Sequence, residues 1–167
     1  MKSLIVSALI LVPACSVYAA DSPDADFYKH AAQGGIAEVQ LGDLARQKSS
    51  NMDVKQFGAM MVKDHSAAND KLKAVADSKN IDLPKGLSAG DKAEKAKLEL
   101  LSGETFDKSY IKGMIKDHQE DIAEFNKEAS SGQDPDAVAF AKATLPTLRE
   151  HLAKIQAIAA SAGVSGE

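Results

Sequence analysis

The sequence DVKQFGAMMVKDHSAANDKLKAVADSK, residues 53–79, indicates the fold most clearly. Its large apolar side chains recur every three or four residues, and this spacing places them on one face of an α-helix. That face comprises Val54, Phe57, Met61, Ala68, Leu72 and Val75, with His65 at its centre. The stretch therefore predicts a long amphipathic helix whose buried side carries an ionisable group.

The rest of the chain has the same helical periodicity, and sustained strand alternation is nearly absent. Long helices are predicted over about residues 24–48, 53–79, 105–130 and 134–162, with a short one over 88–101. Pro84 and Gly86 mark a longer connection between the second and third long helices. We predict an all-α fold, an antiparallel four-helix bundle with one short extra helix in that connection. A three-helix domain with a separate hairpin is the alternative.

The first residues have the features of an export signal. Lys2 precedes a short apolar run, and Val17-Tyr18-Ala19 fits the small-residue rule for signal cleavage. We therefore predict a secretory signal peptide over residues 1–19, followed by a single domain over residues 20–167 in the periplasm. The alternative is a lipid anchor to the envelope through Cys15, because Val12-Pro13-Ala14-Cys15 resembles a lipoprotein signal.

Charge argues against two classes of partner, and hydropathy argues against a transmembrane protein. The predicted mature chain has 19 basic and 24 acidic residues, a net charge of −5, because the signal carries only Lys2. This balance argues against nucleic acid or anionic lipid as a partner. No later stretch is apolar over the roughly 20 residues needed to span a bilayer, so a transmembrane protein is not predicted.

Each of the four long helices has one metal-capable residue on its apolar side: Glu38, His65, His118 and His151. Three of the four histidines in the chain belong to this set. An ionisable group in a helical core is costly unless it is paired, hydrogen-bonded or bound to a metal. The four residues therefore either satisfy one another or hold a ligand.

Counting residues from the turns predicts that the four side chains lie at similar depth. Glu38 and His65 are 12 and 15 residues from the turn near Ser50, and His118 and His151 are 15 and 18 residues from the turn near Gln133. At about 1.5 Å per residue, their levels fall within roughly 9 Å of one another. One shared layer is therefore feasible.

Two of the histidines end copies of one local pattern. Met61-Val62-Lys63-Asp64-His65 and Met114-Ile115-Lys116-Asp117-His118 agree at four of five positions. In each copy the methionine lies one turn before the histidine on the same face. Thioether with imidazole suits copper, and imidazole with carboxylate also suits zinc. Hence we predict a copper or zinc site formed by Glu38, His65, His118 and His151, with Met61 and Met114 as auxiliary ligands.

The alternative is a structural layer. Buried histidines are often hydrogen-bonded core residues, and methionines at such positions often only fill gaps. Glu38 with three imidazoles would also form a self-satisfied network. Asp64 and Asp117 lie about 100° round their helices from the histidines, where they either bond to neighbouring side chains or face solvent.

The sequence also resembles a bacterial exported family, domain of unknown function 4142, whose members are often labelled predicted outer-membrane proteins. The resemblance is carried by Glu38-Val39-Gln40-Leu41-Gly42, by the segment from Phe57 to His65, by Met114 to His118 and by Leu145-Pro146 to His151. It implies a ferritin-like helical bundle in the periplasm and no particular activity. Ferritin-like di-iron proteins use two Glu-x-x-His motifs, which are absent at these histidines, so a di-iron centre is not favoured.

We therefore predict a non-catalytic periplasmic bundle that binds copper or zinc. The rival hypothesis is an envelope stress or protein-interaction bundle whose buried Glu/His layer is structural or pH-responsive. An oxidoreductase that uses the bound metal is a third interpretation, which would require an open coordination position.

Overall fold

The computed structural model describes residues 24–165, which form five α-helices and no β-strand. The helices are α1 (Ala25–Lys48), α2 (Met52–Ser78), α3 (Ala89–Glu99), α4 (Gly103–Ser131) and α5 (Pro135–Ser161). The all-α prediction is confirmed, including the short helix between the second and third long ones. The predicted signal peptide and Cys15 lie outside the described residues.

Short polar side chains begin three of these helices. The Asn51 side chain accepts hydrogen bonds from the first backbone N–H groups of α2. Ser88 and Asp91 form a reciprocal capping box at α3, and Asp134 caps α5 ahead of Pro135. Such caps satisfy N–H groups that have no partner inside the helix, so they fix the helix starts. The sequence predicted these boundaries to within about two residues.

Two glycines allow α1 and α2 to pack closely. A Cβ atom on Gly42 would lie 2.7 Å from the carbonyl oxygen of Gly58, so the two backbones are in direct contact. Gly35, seven residues earlier in the same helix, faces Asn69 further along α2. Since the contacts move backwards along α1 as they move forwards along α2, the two helices run in opposite directions.

The long helices pack as two pairs. α1 packs along α2 and α4 packs along α5, and the pairs join through α1 with α4 and α2 with α5. Their apolar side chains form two clusters, one centred on Phe57, Tyr110 and Ile155 and the other on Phe27, Leu72 and Phe140. The three inward histidines lie between these clusters along their helices.

Hydrogen bonds fix the turns to neighbouring helices. Asp107 on α4 accepts hydrogen bonds from Ser49 at 2.5 Å and Ser50 at 2.7 Å, which ties the α1–α2 turn to α4. The Tyr28 hydroxyl donates to Asp134 at 3.0 Å, which ties α1 to the start of α5. These contacts set the register that brings the histidines to one level. None of the helices within residues 24–165 has the length and apolarity needed to cross a membrane.

Candidate metal centre

Three histidines from three helices converge in the interior. His65 on α2, His118 on α4 and His151 on α5 each place one ring nitrogen within 4.8 Å of a ring nitrogen of the other two. Their ring centres are 5.3 to 5.8 Å apart. All three side chains are buried, at 6% exposure or less. The apolar faces of the helices and the residue counts from the turns had predicted this shared layer correctly from the sequence.

The hydrogen bond of His118 defines which of its nitrogens is free. Its Nδ1 lies 2.9 Å from the backbone carbonyl oxygen of Met114. A carbonyl oxygen can only accept, so Nδ1 carries the hydrogen and donates. In the neutral imidazole Nε2 then has a lone pair and no hydrogen.

His151 is fixed in the complementary way. Its Nε2 lies 3.1 Å from Oδ2 of Asp64, and a carboxylate accepts, so Nε2 carries the hydrogen. Nδ1 of His151 then has the lone pair, and it lies 3.4 Å from Nε2 of His118. In this pair of neutral tautomers neither nitrogen can donate to the other, so two lone pairs face each other.

The third histidine also has a nitrogen without a partner. Nε2 of His65 is buried and makes no hydrogen bond to any of the described residues. Most buried polar atoms in folded proteins are hydrogen-bonded, so such an atom calls for an explanation. A cation coordinated by the three rings would satisfy all the free lone pairs at once.

Burial keeps these rings neutral, which is the form that binds metals. Burial, together with repulsion from the other two histidines, lowers the pKa of His65 to about 3. Burial and the neighbouring His151 likewise lower the pKa of His118 to about 4. The pKa of His151 is also lowered by burial, although Asp64 acts in the opposite direction.

The spacing is close to that of a coordination site. Metal–nitrogen bonds of about 2.0–2.1 Å at tetrahedral angles separate the nitrogens by about 3.3–3.5 Å. The His118–His151 separation of 3.4 Å already matches this value. The remaining separations, within 4.8 Å, need an inward shift of about 1 Å.

Glu38 lies in the same layer but outside this group. Its Oε1 is 3.4 Å from Nδ1 of His118, the nitrogen already bonded to the Met114 carbonyl. Both carboxyl oxygens are buried without a hydrogen-bond partner among the described residues. Burial, followed by the charge of Asp121, raises the pKa of Glu38 well above its usual range and favours the uncharged acid. These properties suit a neighbour of the site better than a charged ligand.

Met61 and Met114 are fully buried within the apolar cluster around Phe57. Each lies one helical turn before its histidine, as the repeated pattern indicated. Met114 contributes its carbonyl oxygen to the site by fixing the tautomer of His118. Coordination by the two sulfur atoms stays a prediction.

Asp64 is the functional candidate that sequence reasoning left open between solvent and a neighbouring side chain. It is partly buried and orients His151 by accepting the Nε2 hydrogen. The equivalent Asp117 of the second copy has different surroundings, and burial raises its pKa to about 7. The repeated Lys-Asp-His pattern was the only signal, and it did not distinguish the two carboxylates. His30, the fourth histidine of the chain, is exposed and pairs with Glu124.

Comparison with known proteins places the chain in a family. A helical protein with a buried three-histidine cluster is the class that the fold and site define. The chain belongs to the family described as a domain of unknown function, DUF4142, whose model matches residues 12–158. This confirms the resemblance inferred from the motifs. No curated protein matches the chain.

Two solved structures have a similar fold. A DUF305 protein of Streptomyces coelicolor, described as secreted, superposes with a TM-score of 0.74 at 15% identity, over 89% of this chain and 98% of that one. A DUF305 fragment from Deinococcus radiodurans superposes with a TM-score of 0.72 at 16% identity, over 82% and 95%. At this level of identity the likeness concerns the fold alone.

Proposed function

We propose that this protein binds a single transition-metal ion, copper or zinc, through His65, His118 and His151. One observation carries the proposal: three buried imidazoles from three helices bring one ring nitrogen each within 4.8 Å of the others, lone pairs of His118 and His151 face each other, and Nε2 of His65 has no hydrogen-bond partner among the described residues. A structural network would instead pair donors with acceptors. Binding without catalysis is the simplest function of this arrangement.

The ligand chemistry supports copper or zinc. Neutral imidazole suits both metals, and the thioethers of Met61 and Met114, one turn away, would add affinity for Cu(I). A di-iron centre is not supported, because such centres need several carboxylates and, within residues 24–165, Glu38 is the only glutamate in the layer. Glu38 acts in this proposal as an uncharged neighbour of His118.

The outer contacts match those of known metal sites. Histidine ligands commonly donate their second ring hydrogen to a carboxylate or a backbone carbonyl, which fixes the ring and its tautomer. Asp64 does so for His151, and the Met114 carbonyl does so for His118. These contacts support a site whose ligands are oriented before the metal arrives.

We further propose that the helices form a ferritin-like four-helix bundle and that the protein works in the periplasm. The packing of α1 with α2, α4 with α5 and the two pairs with each other supports the bundle. The export signal read from residues 1–19 supports the location, with a lipid anchor through Cys15 as the alternative.

The test is direct metal binding. Protein purified without a histidine tag is analysed for bound metal and then titrated with Zn(II) and Cu(I) in competition with chelators. We expect one equivalent to bind, with an affinity at least about 1,000-fold above that of a variant in which all three histidines are replaced by glutamine. Equal affinity of the two proteins would refute the proposal.

Replacing Asp64 by alanine is expected to weaken metal binding by about 10- to 100-fold, because His151 loses the contact that fixes its tautomer. Asp117→Ala is the matched control. It removes the same side chain from the other copy of the pattern, where the carboxyl makes no hydrogen bond to a histidine among the described residues. Chelator competition measures both variants. A comparable loss in both would show that the charge, and not the His151 contact, matters.

A further inference from the structure

A small cavity adjoins the histidine cluster. It has a volume of about 20 Å³, and His65 is part of its wall together with Asn69, Asp121 and Thr144. Phe125 and Phe140 close its apolar side. A cavity of this size holds about one water molecule, so it can also hold a single metal ion. His65 is the only member of the histidine cluster that lines it.

The Asn69 side chain lines this cavity, and Gly35 makes room for it. A Cβ atom on Gly35 would overlap the Asn69 amide oxygen, whereas a Cβ on the adjacent Gly34 would meet only Asp121 Oδ1 at 3.6 Å. Glycine inside a helix destabilises it by about 1 kcal/mol relative to alanine, so a buried glycine there needs a reason. At Gly35 the reason is space, because any larger side chain would overlap the Asn69 amide.

The polar wall of the cavity is acidic. The Asp121 carboxyl lies in it, and Asp117 and Glu124, four residues before it and three residues after it, lie on the same side of α4. Glu38 from α1 is a further carboxyl near Asp121, and burial favours its uncharged form. A surface with one sign of charge that leads into a cavity raises the local concentration of the opposite ion and its rate of association.

We propose that this cavity is the passage by which a metal cation reaches the cluster, with Asp121 attracting the ion and Asn69 acting as a side-chain gate in front of His65. The proposal rests on metal binding by the three histidines, and it adds the route and the residues that set its rate. The amide oxygen and the carboxylate are hard ligands that hold a cation only weakly compared with three imidazoles, so the ion passes on to the cluster.

Passage residues and ligands have different kinetic signatures. A group that the ion only passes changes the association and dissociation rate constants by the same factor, so Kd is unchanged. A ligand changes Kd, mostly through dissociation. Stopped-flow loading with Zn(II) alone, followed by release to excess chelator, gives both rate constants for each variant.

Asn69→Ala is expected to accelerate loading and release alike by about tenfold, because the gate is removed. Asp121→Asn is expected to slow loading by about threefold or more at low salt, and this difference should shrink as salt screens the charge. Two controls match these changes: Asn126→Ala removes the same amide from the surface of α4, and Glu120→Gln removes a charge one residue away, outside the cavity wall.

Two results would overturn the passage. One is loading rates of Asn69→Ala and Asp121→Asn equal to those of their controls. The other is a changed Kd with an unchanged association rate, which would make the residues ligands. Failure of the metal-binding proposal looks different, because the unmodified protein would then bind no zinc and both proposals would fall together.

Discussion

Leucine in place of His65 is expected to stabilise the metal-free protein and to abolish its stabilisation by zinc or copper. Nε2 of His65 is buried without a partner among the described residues, and such an atom costs about 1–3 kcal/mol. Leucine has a similar volume and no polar atom, so unfolding in urea should require about 1–2 kcal/mol more free energy without metal. With Zn(II) at about 100 times the Kd, the unmodified protein should gain about 2.7 kcal/mol and the variant almost nothing.

This reversal distinguishes a metal site from a structural layer. If the layer were a satisfied network, His65→Leu would break it and destabilise the protein equally with metal and with chelator. His30→Leu is the control, because His30 is exposed and its pair with Glu124 is at the surface, where ion pairs contribute little. A His65→Leu protein that is less stable than the unmodified protein in chelator would contradict the metal interpretation of this nitrogen.

The sequence predicted the helices and the level of the layer because both depend on spacing along the chain. Alternating steps of three and four residues identify the buried side of each helix, and rise per residue gives the depth. His65, His118 and His151 follow both rules, and their rings lie 5.3 to 5.8 Å apart. Counting residues from the turns had predicted only that the levels of the four side chains along the helices differ by no more than about 9 Å.

The arrangement within the layer was not predictable in the same way. Glu38 shares the level of the histidines, but its carboxyl lies beside Nδ1 of His118, away from the nitrogens that converge. Asp64 reaches His151 because α2 and α5 pack together at that point, whereas Asp117 has carboxylates such as Glu94 for neighbours. Ring orientation and helix neighbours are set by tertiary packing, which spacing on one helix does not encode.

The small residues show the same limit. Gly42 and Gly58 are next to each other across the α1–α2 contact, and Gly35 leaves room for Asn69. In the sequence each is only a glycine inside a helical pattern, and its partner is in another helix. The sequence therefore predicted where the three histidines lie more reliably than which side chains line the cavity beside them.

Metal affinity is expected to stay nearly constant from pH 7 to pH 5. A proton competes with a metal for an imidazole only when the pH falls below the pKa of that ring. Burial lowers the pKa of His65 to about 3 and that of His118 to about 4, so both remain neutral across this range. In an exposed site with ordinary pKa values near 6.5, protonation of each ring would lower the metal affinity about 30-fold at pH 5, or about 30,000-fold for three rings.

As pH falls, two contributions should change the stability of the metal-free protein in opposite directions. Histidines in the unfolded chain take up protons below about pH 6.5 while the folded ones stay neutral, so this contribution destabilises the fold as pH falls. Burial raises the pKa of Asp117 and of Asp121 to about 7, so these acids hold protons that the unfolded chain releases, and they stabilise the fold as pH falls. Protonation of these acids also removes negative charge along the proposed route of the cation, which should slow loading and release alike and leave the affinity nearly unchanged.

Zinc affinity at pH 7, 6 and 5, measured by competition with a chelator whose own titration is known, tests this expectation. Asp121→Asn removes one of the titrating carboxyls, and its affinity should be equally constant between pH 7 and pH 5. A loss of about 1,000-fold or more at pH 5 would mean that the rings take up protons as exposed histidines do. The cluster would then be open to solvent in the state that binds metal, and release of the ion on acidification would follow directly from the protonation of His65 and His118.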